Sequence, residues 1–160
     1  MADMLSSDNN PCAVRIQDIM ASPVHTVQMD DSLKTVRDSF GSHRCHHVVV
    51  LERQRVFGVV SDRDVLRELS PFVGNVSMER SQDANTLKRR VHQIMSRKPV
   101  TIAPDAFVSA AAQRMLDENV SCLPVVNADG KLVGVVTKRD ILRWAVSSCP
   151  LPAPAAAAQD

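Results

Sequence analysis

Two stretches of this chain come back almost unchanged further along it. Ile16-Gln17-Asp18-Ile19-Met20 returns as Val91-His92-Gln93-Ile94-Met95. Gly58-Val59-Val60-Ser61-Asp62-Arg63-Asp64-Val65-Leu66-Arg67 returns as Gly134-Val135-Val136-Thr137-Lys138-Arg139-Asp140-Ile141-Leu142-Arg143. The spacing is 75 residues for the first pair and 76 for the second, one residue of slippage in an intervening loop. A repeat of this length means two copies of one supersecondary unit stacked on each other. Each copy has only about 55–60 residues, marginal for a core of its own, so the copies are expected to pair tightly. A pseudo-two-fold pair also creates two matched clefts, and function is sought between the copies.

The apolar pattern gives each copy the order β-α-β-β-α. In the first, Val24–Val27 reads as a short strand. Asp30 or Asp31 can cap a helix with Leu33, Val36 and Phe40 on its buried stripe. The β-branched runs 47–51 and 56–60 read as adjacent strands around the turn Glu52-Arg53-Gln54-Arg55. Ser61 or Asp62 starts a helix with Val65, Leu66 and Leu69 inward. In the second copy Val100–Ile102 is the short strand, and Asp105 precedes a helix with Val108, Ala111, Met115 and Leu116 inward. Strands 123–126 and 132–136 flank the turn Asn127-Ala128-Asp129-Gly130, and a last helix turns Ile141, Leu142, Trp144 and Ala145 inward. The expected class is α/β (α+β), two tandem units, each a small sheet covered by helices on one face. The boundaries follow: a flexible N-terminus over 1–13, unit one over 14–70, a linker over 71–90 with a helical turn around 84–90, unit two over 91–148, and a disordered Ala/Pro tail over 149–160.

Composition narrows the classes of function. Nineteen basic against eighteen acidic residues give a net charge of +1, which argues against nucleic-acid binding over a broad basic surface. No apolar run has the length of a membrane span. The N-terminus lacks a basic start and a hydrophobic core, so a cytoplasmic location is expected. Cys12, Cys45, Cys122 and Cys149 form no Cys-x-x-Cys pair and read as free thiols. There is no nucleophile elbow or P-loop, and Gly58 and Gly134 are isolated, so an enzyme is not expected. His43, Cys45, His46 and His47 are zinc-ligand types. On a strand, however, Cys45 and His47 point one way and His46 the other, which does not make one metal centre.

Four signals in order, present in both copies, resemble a tandem CBS-domain pair, also called a Bateman module. They are the leading segment ending in Ile-Met, the short strand, the strand preceded by a polar pair, and Gly-Val-Val-Ser/Thr-x-x-Asp. The resemblance spans about Arg15 to Ala145, with no attached catalytic or DNA-binding domain, a stand-alone format that points to a bacterial protein. It implies a regulatory module, with no cofactor required, that binds AMP, ADP or ATP, or alternatively S-adenosylmethionine or NAD. It also implies a homodimer built through helical faces near Phe40, Leu69, Met115 and Trp144, and a regulated protein as partner. A scaffold with vestigial clefts is the rival reading.

Within that frame the binding residues are Ser61 with Asp64 and Thr137 with Asp140. A hydroxyl at a strand end and a carboxylate one helical turn on can face one cleft. The carboxylate suits a ribose diol, and the hydroxyl with the helix N-terminus suits phosphate. The same residues would equally serve as N-cap and first-turn partner. Val24, Thr26, Val100, Thr101 and Ile102 are expected to wall the adenine, or simply to pack in the core. By the resemblance, the positions of His46 and His47 reach phosphate lodged against the other copy's motif. The Asp140 cleft therefore gathers His46, His47, Lys138 and Arg139, whereas the Asp64 cleft has Arg63 facing the neutral Ser121 and Cys122. A charged nucleotide is expected to favour the Asp140 cleft.

Overall fold

The leading segments that open the repeat are exchanged between the two units. The structure, a computed structural model, describes residues 13–75, 77–78 and 80–148. The expectations for the far N-terminus, for the Ala/Pro tail, and for Cys12 and Cys149 lie outside these residues. Strands β1 (Thr26–Gln28), β2 (His47–Glu52), β3 (Arg55–Ser61) and β4 (Ser96–Arg97) form one sheet in that order. β1 is parallel to β2, and the other pairs are antiparallel. Helices α1 (Leu33–His43) and α2 (Asp62–Glu68) lie against β2 and β3. β4 follows the 3-10 turn Val91–Gln93, so the second leading segment completes the first unit's sheet.

The second unit repeats this with β5 (Cys122–Val126) antiparallel to β6 (Leu132–Thr137), covered by α4 (Val108–Asp117) and α5 (Lys138–Ser148). The short α3 (Ser81–Thr86) lies in the linker, earlier than the helical turn expected around 84–90. Two single bridges flank the β5–β6 pair: Ile102 to Val125 in parallel, and Ala21 to Val135 antiparallel. They are the counterparts of β1 and β4. The strand expected over Val100–Ile102 thus shrinks to the one bridge at Ile102, and the first unit's strand begins two residues later than its apolar pattern suggested.

The exchange is reciprocal down to individual hydrogen bonds. Ile16 N–H donates to Ala106 O at 2.9 Å, and Val91 N–H to Asp31 O at 3.0 Å. The Arg15 guanidinium donates to Asp105 O, and that of Arg90 to Asp30 O. Ile16, fully buried, joins the second unit's core with Ile102, Met115 and Leu123. Val91 and Met95 join the first unit's core with Val36, Val48 and Val60. A further bridge pairs Arg55 with Lys131, equivalent positions of the two repeats, so the pseudo-two-fold axis runs between them.

Local chemistry sets the helix ends. Ser32, not Asp30 or Asp31, caps α1, its Oγ accepting the Thr35 N–H at 3.2 Å, while the Asp31 carboxylate accepts the Gln28 N–H. Arg44 and Asn119, equivalent residues with φ of 50° each, follow α1 and the last turn after α4 in the left-handed region. The β2–β3 turn places Arg53 and Gln54 at positive φ, where Asn-Gly is usual, whereas Gly130 (φ 76°) serves the β5–β6 turn as expected. Leu66, Leu116 and Leu142, read as inward from their spacing, are 65% or more exposed. Met115 is buried at 1%, and Phe40, Leu69 and Trp144 pack on the cores, so the helical apolar surface is made by the residues read as core.

The leading methionines lie against glycines. A Cβ on Gly58 would sit 2.8 Å from Met95 Sδ and 2.9 Å from the Ser96 carbonyl, whereas the nearest atoms to one on Gly134 all belong to the flexible Met20 side chain. Gly58→Ala is therefore expected to lower stability by about 1–3 kcal/mol and Gly134→Ala by less, read as urea midpoints. Ile16→Ala is expected to cost about 2–5 kcal/mol although it leaves every residue of the second unit unchanged.

Candidate functional site

Both Ser/Thr-x-x-Asp motifs sit where a strand hands over to a helix. Ser61 ends β3 and caps α2; its Oγ accepts the Asp64 N–H at 3.2 Å. In return Asp64 Oδ2 accepts the Ser61 N–H at 2.9 Å and the Ser61 O–H at 2.6 Å. Thr137 and Asp140 repeat this at 2.9 Å and 2.6 Å. The capping role and a ligand-facing role coexist, because the box uses only one oxygen of each carboxylate. Asp64 Oδ1 takes no hydrogen bond from the described residues, and Asp140 Oδ1 lies 3.6 Å from Arg143 Nη1.

The clefts at the two motifs differ sharply. The Asp140 cleft, 670 Å³, is walled on one side by Thr137, Lys138, Arg139, Asp140 and Arg143 of the second unit. On the other side stand Arg44, Cys45, His46, His47, Asp62 and Arg63 of the first, with Ala21, Ser121 and Val135 on its floor and edge. The Asp64 cleft measures 170 Å³. Its wall contains His47, Ser61 and Asp64 from one side and Ser96, Val100, Asn119, Ser121 and Cys122 from the other.

His46, His47, Lys138 and Arg139 are thus gathered at Asp140, with Ser121 and Cys122 facing Asp64. Arg63 is the exception: it lines the Asp140 cleft and not that of its own motif. Of the residues expected around adenine, only Val100 borders a motif cleft. Val24 and Thr26 border a 470 Å³ cavity shared with Lys131 and Val133, and Thr101 and Ile102 a separate 520 Å³ one beside Asp105 and Arg114. Sequence reasoning passed over Arg44, Asp62 and Arg143. Arg143 was legible, one turn beyond Asp140. Arg44 reaches the cleft through its left-handed backbone, which an arginine does not advertise.

The histidine cluster disperses. The rings of His43 and His25 lie 3.6 Å apart, His46 Nδ1 is 2.7 Å from Asp62 Oδ2, and His47 Nε2 is 3.0 Å from Ser121 Oγ across the unit boundary. Among the described residues no group of three or more His, Cys, Asp or Glu is placed to hold a metal ion, and no helix is long and apolar enough to cross a membrane.

The CBS-domain family matches the chain twice, over residues 16–71 and 91–147. The chain is a CBS-domain pair. A CBS domain-containing protein of Dictyostelium discoideum is 31% identical over 131 residues, covering 81% of this chain and 89% of the relative. A CBS pair solved with 5′-methylthioadenosine and S-adenosyl-L-methionine superposes with a TM-score of 0.71 at 22% identity, covering 86% of this chain and 99% of that one. CBSX2 of Arabidopsis thaliana, solved with AMP, gives 0.66 at 24% identity, covering 83% and 96%. Relatives in Methanocaldococcus jannaschii and Bacillus subtilis complete a mixed set of sources, so the likeness does not assign a bacterial origin.

Protonation in this CBS pair follows burial. Burial pushes the Cys122 thiol up to about 12, aided by the nearby Asp140 charge, and burial also raises Cys45, so both stay neutral thiols. Burial lowers His47, against the pull of the Asp62 carboxylate. For Asp62 itself burial acts upward, but the hydrogen bond from His46 and that from the Arg63 N–H hold it below the usual carboxylate range. Because folding lowers the His47 pKa, the unfolded chain binds that proton more readily. Its contribution to stability is present above the unfolded value of about 6.5 and lost as pH falls through the folded value. Thermal midpoints of the ligand-free protein are expected to fall as pH drops below about 6.5, with a shallower fall in His47→Gln.

Proposed function

We propose that this chain is a non-catalytic regulatory module that binds an adenosine-containing ligand between its two CBS units, with AMP, ADP or ATP held in the Asp140 cleft. The observation that carries the reading is the convergence there of cations from both units: Lys138, Arg139 and Arg143 across from Arg44 and Arg63, with His46 and His47 beside them. In this assignment Asp140 Oδ1 takes the ribose diol, and the Thr137 end of the eleven-residue α5 with its basic neighbours takes phosphate. The AMP and S-adenosyl-L-methionine bound by CBS pairs of the same fold support adenosine chemistry for this chain.

A ligand held by both units stabilises whichever relative arrangement it fits better, and that differential affinity is the signal. Leu142 and Val146 on α5, with Leu66 on α2, leave an exposed apolar helical surface that supports a homodimer as the reader of that signal.

Isothermal titration of the ligand-stripped protein with AMP, ADP and ATP tests the assignment. Saturable binding is expected, weakened about tenfold to a hundredfold by Asp140→Ala, as for loss of hydrogen bonds to a charged group. Affinity is expected to fall between low and high salt. Folded protein that binds none of the three, nor S-adenosylmethionine or NAD, would return the chain to the scaffold reading.

A further inference from the structure

The two clefts are related by the repeat, yet no lysine or arginine lines the Asp64 cleft. Arg44 of the Asp140 cleft corresponds to Asn119 in the Asp64 cleft, His46 to Ser121, and His47 to Cys122. Lys138 corresponds to Asp62, while Arg63, the counterpart of Arg139, turns into the Asp140 cleft and Arg67, the counterpart of Arg143, lines neither cleft.

We propose that the Asp64 cleft takes an uncharged adenosine-type ligand, a nucleoside or its 5′-thioether, while the Asp140 cleft takes the phosphorylated form. This rests on the adenosine reading above and divides it between the sites. The ionisable groups on the Asp64 wall are His47, Asp64 and Cys122. The thiol is neutral and the imidazole, half-buried and held to Ser121, is uncharged near neutral pH, which leaves the Asp64 carboxylate as the one formal charge. A phosphate entering this 170 Å³ space would meet a like charge and no counter-cation, in surroundings that screen poorly. A nucleoside carries no formal charge; it presents its diol to the free Oδ1 and the flat face of its base to Val59 and Val100. The chain would then compare two phosphorylation states of one nucleoside, one in each cleft.

The test is titration with adenosine, AMP and ATP of the wild type, Asp64→Asn, Asp140→Ala and the double variant Asp140→Ala/Asn119→Arg, each checked for folding by circular dichroism. Asn119→Arg restores the residue of the first repeat, which already adopts the same backbone at Arg44. Adenosine binding is expected to survive Asp140→Ala and to fall at least about tenfold in Asp64→Asn, as when a hydrogen-bonded charge is lost. AMP and ATP are expected to behave in the opposite way. The Asn119→Arg background is expected to gain AMP affinity at least about tenfold over Asp140→Ala alone. If Asp140→Ala binds AMP as tightly as adenosine, or if Asp64→Asn leaves adenosine untouched, the division is wrong while adenosine chemistry stands. If no adenosine compound binds the folded wild type, both readings fall together.

Discussion

Neither half of this molecule owns its core. Ile16 is buried among residues of the second unit, and Val91 with Met95 among those of the first, each fixed by backbone hydrogen bonds that the repeat reproduces on the other side. A unit of this size is marginal on its own. Lending the leading segment to the partner unit closes both cores and makes their stabilities one quantity. It also sets the clefts, because the same crossing strands that carry Ala21 and Ser96 to β6 and β3 floor the spaces beneath Asp140 and Asp64.

On that frame a duplicated scaffold carries unequal sites. The capping boxes are nearly superposable in chemistry, and each leaves one carboxylate oxygen for a diol. The difference lies where the chain enters β2 and β5: an arginine and two histidines in the first unit stand where the second has an asparagine, a serine and a cysteine. His47 and Ser121 border both clefts and bond to each other, so the partition between the sites is itself a contact between units. Whatever occupies one side touches the wall of the other.

The order β-α-β-β-α and the duplicated helix starts were legible because period-two and period-3.6 patterns, capping residues and the repeat all agreed. The motif clefts were legible for the same reason: strand end and helix start fix where Asp64 and Asp140 stand. The exchange of leading segments was not, since Ile16 and Val91 look alike and an apolar residue does not say which core it enters. Helical facing failed at Leu66, Leu116 and Leu142, where neighbouring apolar positions left the stripe ambiguous by one residue. Arg44 escaped notice, and so did the backbone conformation of the expected turn at Arg53 and Gln54, because non-glycine residues at positive φ carry no local signal. Arg63 was assigned to the wrong cleft because sequence distance to Asp64 is short, while α2 turns its side chain the other way.

The exchange also orders events during synthesis. Domains generally close as they emerge, N-terminal part first. Here the first unit stays open until Val91 and Met95 have left the ribosome, and Ile16 waits for Val136, far behind it in the chain. Between those points the nascent chain carries exposed apolar strands. Its final fold arrives as one late, concerted closure, with both clefts appearing together.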